Sequence, residues 1–337
     1  MQWATGNIGT RSLSAVIEHP DLELVGVYVH SAEKAGRDAG DLCERAATGV
    51  LATNDVEEIL RLGADCVLYM PAACDFDEVR RILSAGSNVV TTRGEFLRPA
   101  SMDASHRAEI EAACEMGRAS IHSTGSSPGF ITEAVPLVLS SLQRRVDRIV
   151  ISEFADLSQR NSPELLFGLM GFGQPPGEVD QRRAAHLAAS FGPSLELVAE
   201  AISLPLDEVT ASGDVATARQ RTVIAAGTLE QGTVAAQRTT VSGVRAGKPL
   251  IEFRATWYCT SDLEQDWKLR STGWTISVAG DAPLDADITF TTPVQEMAAV
   301  TPGYTAHRAV NAVPFVCAAE PGIRTSLDLP QIVPTLR

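Results

Sequence analysis

Short apolar runs alternate with helical patterns over the first 125 residues of the chain. The apolar runs predict strands over residues 22–29, 65–70, 88–92 and 119–122. Apolar positions spaced three and four residues apart predict helices between them, over residues 56–62, 76–85 and 104–116. Strongly apolar strands separated by helices are typical of a buried parallel sheet. We therefore predict an α/β fold of the Rossmann type, with a doubly wound parallel sheet.

The pattern changes in the second half of the chain. Strands are predicted over residues 221–227, 232–245, 250–260, 274–279 and 286–292, with a turn at 246–249. Helices are predicted over residues 131–142 and 304–319, the second returning to cover the parallel sheet. This pattern indicates an antiparallel α+β domain over residues 126–299, inserted between the two parts of the Rossmann domain, residues 1–125 and 300–337. Only residues 1–4 are available for the central first strand, which is either unusually short or begins upstream of Met1.

The first ten residues contain a glycine turn between a strand and a helix. Gly6 and Gly9 match the second and third glycines of the G-x-G-x-x-G pattern, and Ala4 stands in place of the first. Such a turn brings backbone N–H groups and a helix N-terminus against a pyrophosphate. The predicted cofactor-binding residues here are Gly6, Asn7, Ile8, Gly9 and Arg11.

The end of the second predicted strand bears on the choice of cofactor. An acid at this tip accepts hydrogen bonds from a ribose 2′-hydroxyl and repels a 2′-phosphate, and this chain has none there. Ser31, Lys34 and Arg37 follow instead and can together bind a phosphate dianion. NADP(H) is therefore favoured, with NAD(H) also possible. The alternative is that Lys34 and Arg37 only solvate a loop.

Ligands of open α/β sheets bind beyond the carboxyl ends of the strands. Met70 and Pro71 follow one core strand and are predicted to line the cofactor site. Glu95 is the only acid directly at the tip of a core strand, so it is predicted to face the nicotinamide. A carboxylate there acts as a general base or stabilises an iminium cation. The alternative is an ordinary surface glutamate at a strand end.

The remaining polar and aromatic candidates are assigned to the core, to helix capping or to a substrate pocket. We interpret His122 as a hydrogen-bonded core histidine, and Ser126 and Ser127 as caps of the following helix. Aromatic residues are scarce, so six of them are possible walls of a substrate pocket: Phe130, Phe154, Phe167, Phe172, Trp257 and Tyr258. We select Phe130 and Phe154, with Phe130 as the first choice because Pro128 and Gly129 return the chain toward the cofactor cleft. Glu153 and Asp156 lie on an alternating stretch that indicates a solvated or interdomain face, with contact to substrate as the alternative.

Charge and cysteine content exclude several classes of function. The net charge of −14 argues against a nucleic-acid partner, which needs clustered Lys and Arg. The six cysteines show no metal-ligand spacing, so no metal site is predicted, and they are typical of a reduced cytoplasmic protein. No apolar stretch is long enough for a membrane span, and no signal peptide precedes the glycine turn.

Three motifs together resemble one family. They are residues 2–9 (Gln-Trp-Ala-Thr-Gly-Asn-Ile-Gly), residues 124–130 (Thr-Gly-Ser-Ser-Pro-Gly-Phe), and residues 310–314 (Val-Asn-Ala-Val-Pro) followed by 319–322 (Ala-Glu-Pro-Gly). The chain resembles the dihydrodipicolinate-reductase-like proteins that include 2,4-diaminopentanoate dehydrogenase and the native NAD(P)-dependent amine dehydrogenases, especially the actinobacterial branch.

The resemblance implies reversible hydride transfer between NADP(H) and a carbon–nitrogen bond, so that a small ketone or aldehyde and ammonia give an amine. The family motif Glu-Glu-apolar reads Gly94-Glu95-Phe96 here, so Glu95 inherits the essential role without its acidic neighbour. The resemblance also implies a homodimer, a substrate-binding and dimerisation role for residues 126–299, and a C-terminal helix that brings Asn311 near the nicotinamide.

Related enzymes of the same fold are disfavoured. The paired histidines and the substrate motif of dihydrodipicolinate reductase itself are missing after residue 151, and residues 93–99 lack the catalytic lysine of sugar oxidoreductases. Two alternatives to an amine dehydrogenase stay open: an alcohol or semialdehyde dehydrogenase in which Glu95 only positions the substrate, and a non-catalytic NADP(H)-binding sensor.

Overall fold

The computed structural model describes residues 1–177 and 181–336, and for residues 181–183 it describes the backbone only. The polypeptide divides into two compact units, Met1–Phe130 with Ala299–Arg337, and Ile131–Ala298. The strands are β1 (Gln2–Trp3), β2 (Val27–Tyr28), β3 (Ala52–Thr53), β4 (Cys66–Tyr69), β5 (Asn88–Thr91), β6 (Ser120–Ser123), β7 (Val146–Asp156), β8 (Glu208–Thr217), β9 (Thr222–Ile224), β10 (Gly227–Leu229), β11 (Val234–Arg245), β12 (Lys248–Tyr258), β13 (Gly273–Gly280), β14 (Leu284–Thr289) and β15 (Gly322–Arg324). The α-helices are α1 (Asn7–Glu18), α2 (Ala39–Leu42), α3 (Val56–Leu60), α4 (Phe76–Ser84), α5 (Ala104–Gly117), α6 (Val135–Ser140), α7 (Gln181–Ala201) and α8 (Val294–Cys317).

The first unit is built on a seven-stranded sheet in the order β15-β6-β5-β4-β1-β2-β3. Each neighbouring pair runs parallel, and this confirms the predicted Rossmann-type fold. Its core contains the fully buried Trp3, Tyr69 and Phe96. The strand predicted over residues 22–29 is shorter, because Leu22 and Leu24 pack against a neighbouring apolar cluster and only Val27–Tyr28 pairs.

The second unit is built on a six-stranded sheet in the order β14-β13-β7-β12-β11-β8. The predicted antiparallel sheet is wrong in one respect, because β7 and β12 run parallel and the sheet is therefore mixed. A strand that the sequence analysis did not predict, β8, forms one edge. Helix α7 covers one face of this sheet, where Phe191 stacks on Phe253 with ring centroids 3.9 Å apart.

Helices α2 and α7 and strands β3 and β15 were not predicted, and three predicted elements differ in extent. The helix predicted over residues 131–142 is limited to α6, which follows a kinked turn over Ser126–Ala134. The helix predicted over 304–319 begins ten residues earlier, at Val294. The strand predicted over 221–227 is two short strands, β9 and β10, which pair with each other as a separate ribbon.

The described residues contain neither a membrane-spanning helix nor a cluster of metal ligands. No helix in this part of the chain combines the length and the apolar character needed to cross a membrane. Within the same residues, no group of three or more His, Cys, Asp or Glu side chains is arranged to hold a metal ion.

His122 on β6 is a core histidine of the first unit. His122 is 1 % exposed, and its Nδ1 donates to the Arg324 carbonyl at 2.7 Å. The buried Nε2 has no hydrogen-bond partner in the part of the chain that the structure describes. Burial lowers the pKa of His122 to about 4. The neutral imidazole is therefore the form that the folded chain holds at neutral pH.

This buried histidine predicts a loss of stability in mild acid. The unfolded chain binds a proton at His122 below pH ~6.5, whereas the folded chain binds it only near pH 4. Protonation between these values favours unfolding, by up to ~3 kcal/mol at the acid end. His122→Asn keeps a donor for the Arg324 carbonyl and removes the titration. Urea unfolding from pH 7 to pH ~4.5 should show a shallower acid decline for His122→Asn than for the wild type or the exposed control His186→Asn; equal slopes would contradict the assignment.

Candidate active site

The candidate site lies at the carboxyl edge of the parallel sheet. Because β1, β2, β4, β5 and β6 all run parallel, the segments that follow them meet at this edge. Among them are the glycine turn, the loop of residues 31–37, Met70 and Pro71, Glu95, and the loop of residues 124–130.

The glycine turn depends on a very close backbone approach. Ala4 has a φ of +69°, a left-handed conformation that costs an L-residue about 1–2 kcal/mol. A Cβ at Gly9 would lie 2.2 Å from the carbonyl oxygen of Ala4, so only glycine fits at position 9. The Gln2 side chain holds the turn, since its Nε2 donates to the Ala4 carbonyl at 2.8 Å and its Oε1 accepts from Ser12 at 2.5 Å.

Gly6 has a different reason to be glycine. Its φ of −77° is ordinary, the residue is exposed, and a Cβ there would meet no atom of residues 1–177 or 181–336 within 4 Å. Gly6 is the N-cap of α1 and supplies no side-chain acceptor, and the first turn contains no acid. The N-terminus of α1 is therefore open, with its N–H groups and its positive dipole end available. These features fit the pyrophosphate of a nicotinamide dinucleotide.

The loop after β2 brings a cation to the glycine turn. Nζ of Lys34 donates to the carbonyl oxygen of Thr5 at 2.9 Å and to the Thr5 hydroxyl at 3.1 Å. Ser31 is half-buried in the same loop, and its carbonyl accepts from the Lys34 backbone at 3.1 Å. Arg37 is exposed, with Nη2 3.4 Å from the carbonyl oxygen of Asp41. The structure thus places Lys34 at the turn and leaves Arg37 on the outer side of the loop.

Arg11 is engaged within the protein. Its guanidinium donates to the Asn7 side chain at 2.7 Å and to the Ala299 carbonyl, through Nε at 3.1 Å and Nη2 at 3.0 Å. This arrangement connects the glycine turn to α8 and gives Arg11 a positioning role. Ile8 packs against the apolar cluster that contains Val310 of α8.

The remaining predicted cofactor residues lie further along the edge. Met70 is buried and accepts a hydrogen bond on its sulfur from Thr92 Oγ1 at 3.4 Å, and Pro71 follows it half-buried. Asn311 is half-buried within α8.

Glu95 is held by its neighbours in a 3₁₀ turn, Gly94–Phe96. The side chain of Phe96 is fully buried and anchors the turn in the core of the first unit. The Glu95 Oε1 atom accepts from Arg93 Nη2 at 2.7 Å, while Arg93 Nη1 donates to the Ala72 carbonyl at 2.7 Å. Oε2 of Glu95 is covered from solvent and has no hydrogen-bond partner in the described structure. A desolvated carboxylate oxygen without a donor is costly in a stable protein and is available to a ligand N–H.

A thiol near this carboxylate is unreactive. Burial, reinforced by the charge of Glu95, raises the pKa of Cys74 to about 12. Cys74 therefore stays protonated at neutral pH and is a poor nucleophile.

The loop of residues 124–130 differs from prediction in its hydrogen bonds. The interpretation of Ser126 and Ser127 as helix caps is wrong, since α6 has no side-chain cap and Ser126 Oγ lies 2.6 Å from the Thr305 hydroxyl. The Ser127 hydroxyl is buried without a hydrogen-bond partner in the described structure. Phe130 ends the loop half-buried, with the guanidinium carbon of Arg308 5.8 Å from its ring centroid.

In the second unit, the predicted pocket residue Phe154 lies on β7 and is 8 % exposed. Its neighbour Glu153 receives two indole N–H groups, from Trp257 at 3.3 Å and from Trp274 at 3.0 Å. The sequence analysis missed these tryptophan partners and also Arg93. Arg93 precedes Glu95 by two residues, and this spacing was the available signal; the tryptophans are distant in sequence and gave none.

Comparison with known proteins agrees with the geometry. A family model described as the 2,4-diaminopentanoate dehydrogenase C-terminal domain matches residues 130–336, and one described as dihydrodipicolinate reductase, N-terminus, matches residues 4–92. An amine dehydrogenase from Streptomyces virginiae is 28% identical over 344 aligned residues, which cover 97% of this chain and 95% of that protein. A 4-hydroxy-tetrahydrodipicolinate reductase from Synechococcus elongatus is 32% identical over 98 residues, or 27% of this chain and 36% of that protein.

A solved structure shares the fold along the whole chain. The amine dehydrogenase from Mycobacterium smegmatis superposes with a TM-score of 0.76 at 19% identity, covering 99% of this chain and 96% of that one. With the open glycine turn and the carboxylate at the sheet edge, these matches define an oxidoreductase of the dehydrogenase class on a nicotinamide-dinucleotide-binding fold. The chain belongs to the family of the 2,4-diaminopentanoate dehydrogenase C-terminal domain.

Proposed function

We propose that the protein is an NADP(H)-dependent amine dehydrogenase that reversibly converts a small ketone or aldehyde and ammonia into an amine. The observation that carries this proposal is the Oε2 atom of Glu95 at the carboxyl end of β5, which is covered from solvent and has no hydrogen-bond partner among the described residues. The amine dehydrogenase activity named for the Streptomyces and Mycobacterium proteins supports it.

The reaction needs proton transfers that Glu95 can perform. Carbonyl, ammonia, NADPH and one proton give amine, NADP⁺ and water. When bound, the cofactor supplies the hydride. Oε2 of Glu95 accepts a proton from the attacking nitrogen and returns it to the carbinolamine hydroxyl, which leaves as water. Glu95 is then a carboxylate again and stabilises the positive charge of the iminium carbon–nitrogen bond. Arg93 holds Oε1, so that Oε2 stays directed toward the reacting groups.

Further residues would bind the cofactor and set the preference for NADP(H). The pyrophosphate would be held by Gly6, Asn7, Ile8 and Gly9, and Arg11 would support their turn. The nicotinamide side of the cofactor would contact Met70, Pro71 and Asn311. The 2′-phosphate would be bound by Ser31, Lys34 and Arg37.

The proposed roles of the second domain are substrate binding and dimerisation. Residues 126–299 would bind the substrate and form a homodimer, and Phe130 and Phe154 would line the substrate pocket.

The test is the rate of NADPH oxidation by a panel of small ketones and aldehydes, with and without ammonium. We expect turnover only with ammonium, and faster turnover with NADPH than with NADH. Equal rates without ammonium would instead support an alcohol or semialdehyde dehydrogenase. NADPH binding without turnover across the panel would support a sensor, and a preference for NADH would contradict the role given to the loop of residues 31–37.

A further inference from the structure

His30 stands at the tip of β2, where folds of the Rossmann type select between the two nicotinamide dinucleotides. The Val29 N–H donates to the Thr53 carbonyl at 2.9 Å, so the hydrogen-bonded ladder extends one residue past β2 and His30 is the next residue. An acid at this tip accepts a hydrogen bond from the ribose 2′-hydroxyl of NAD(H) and repels the 2′-phosphate of NADP(H). An imidazole has a neutral and a cationic form, so its effect at this tip depends on protonation.

The imidazole of His30 is held through one nitrogen and open at the other. The side chain is 52% exposed, its ring meets Tyr28 edge-on with centroids 5.1 Å apart, and Nε2 lies 3.5 Å from Glu78 Oε1. The other oxygen of Glu78 accepts from Trp3 Nε1 at 3.2 Å and from the Tyr69 hydroxyl at 2.8 Å, which fixes the carboxylate. In the part of the chain that the structure describes, Nδ1 of His30 has no hydrogen bond and is available to a ligand.

The protonation state of this ring decides which group Nδ1 can bind. Because Nε2 is directed at the Glu78 carboxylate, the neutral ring carries its hydrogen on Nε2 and presents Nδ1 as an acceptor. An acceptor suits a ribose 2′-hydroxyl, which has a hydrogen to donate. The protonated ring carries a hydrogen on both nitrogens, so Nδ1 becomes a charged donor, which suits a phosphate monoester.

The groups around the ring leave the imidazole as the side chain that changes charge near neutral pH. Besides Lys34 in the following loop, they belong to β2, β4 and α4: Tyr28, Tyr69, Glu78 and Arg81. Burial raises the pKa of Tyr28 and of Tyr69, so both tyrosines stay neutral. Arg81 is paired with Glu57, and arginine is always charged.

We propose that His30 is a specificity-determining residue that shifts the protein from NAD(H) toward NADP(H) when its imidazole is protonated. This inference rests on the proposed dehydrogenase function and deepens its cofactor preference. Lys34 is engaged with Thr5, and Arg37 lies on the outer side of the loop of residues 31–37. These two cations contribute a constant attraction for the 2′-phosphate, and His30 contributes the part that depends on pH.

The test is direct binding of NADPH and of NADH to the full-length protein without substrate, followed by nicotinamide fluorescence at pH ~8 and at pH ~6.5. A phosphate monoester has its second pKa at about 6, so the 2′-phosphate is mostly a dianion at both values. The measured quantity is the preference ratio, the Kd of NADH divided by the Kd of NADPH. In the wild type this ratio should be several-fold larger at the lower pH, because protonation of His30 favours the phosphate and disfavours the hydroxyl.

Three substitutions of His30 separate an effect of charge from a structural one. His30→Asn should remove the pH dependence of the preference ratio. His30→Lys introduces a permanent cation and should raise the ratio at pH ~8 about 10-fold, with no further change at pH ~6.5. His30→Asp places an acid at the tip and should shift the preference toward NADH. A purely structural residue would instead weaken the binding of both dinucleotides alike in all three variants.

The matched control is His186→Asn, the same chemical change at an exposed histidine of α7, which should keep the wild-type ratio at both pH values. An equal ratio at the two pH values in the wild type, or an unchanged pH dependence in His30→Asn, would overturn the inference. Tighter binding of NADH than of NADPH at both pH values would contradict the proposed NADP(H) preference, whereas the role of His30 would still be decided by the change of the ratio with pH. Because turnover is not measured, failure of the proposed reaction and failure of this inference are distinguishable.

Discussion

Glu95→Gln is expected to lose most reductive amination while retaining NADPH binding. The amide keeps the size of the side chain but neither accepts the proton from the attacking nitrogen nor stabilises a cation. A positioned acid–base group contributes roughly 100- to 10,000-fold to rate, so we expect kcat to fall within that range. The measurement is ammonium-dependent NADPH oxidation, with the dissociation constant of NADPH determined in parallel by fluorescence.

The matched control for this substitution is Glu111→Gln. Glu111 lies on α5 with its side chain 55% exposed, 3.9 Å from Arg107, so the same chemical change there should leave both measurements unchanged. Full turnover in Glu95→Gln would remove this residue from the mechanism. If Glu95→Gln loses both NADPH binding and turnover, the ion pair of Glu95 and Arg93 stabilises the fold at the carboxyl edge of the sheet instead.

Residues near one another in sequence were the predictable part of the site. The glycine turn, the acid-free tip of β2 and Glu95 each follow a strand directly, and parallel strands place their ends together whatever the side chains contact. The conformation of Ala4 was not predictable, because φ at that residue depends on the close packing of Gly9 against its carbonyl.

Contacts between residues distant in sequence could not be predicted from the pattern of hydrophobic and polar positions. The parallel pairing of β7 with β12 joins segments about 100 residues apart, and an alternating strand carries no mark of its neighbour's direction. For the same reason Glu153 was interpreted as part of a solvated or interdomain face, whereas its tryptophan donors come from the strands on either side. The missed strand β8 alternates small and polar residues with few large apolar ones, so its signal was weak.

Gly9→Ala and Gly6→Ala should both weaken NADPH binding, but only Gly9→Ala should destabilise the protein, although both change one glycine of the same turn. At position 9 the new methyl group would lie 2.2 Å from the Ala4 oxygen and 3.0 Å from its carbonyl carbon. Both are backbone atoms, so the turn itself must move, and we expect a loss of about 1–3 kcal/mol in the free energy of unfolding together with loss of NADPH binding. At position 6 the methyl group meets none of the described residues within 4 Å, so the free energy of unfolding should change by no more than about 0.5 kcal/mol.

The Gly6 substitution therefore reports on the ligand alone. If the pyrophosphate lies on the open N-terminus of α1, a methyl group at position 6 occupies the space of its oxygens, and the affinity for NADPH should fall about 10-fold or more at unchanged stability. Gly168→Ala is the matched control, since the added carbon would again meet no described atom within 4 Å and this glycine lies in the second unit. Urea unfolding and NADPH titration of the three variants test both claims. Wild-type NADPH affinity in Gly6→Ala would place the pyrophosphate elsewhere, and wild-type stability in Gly9→Ala would mean that the turn can open without cost.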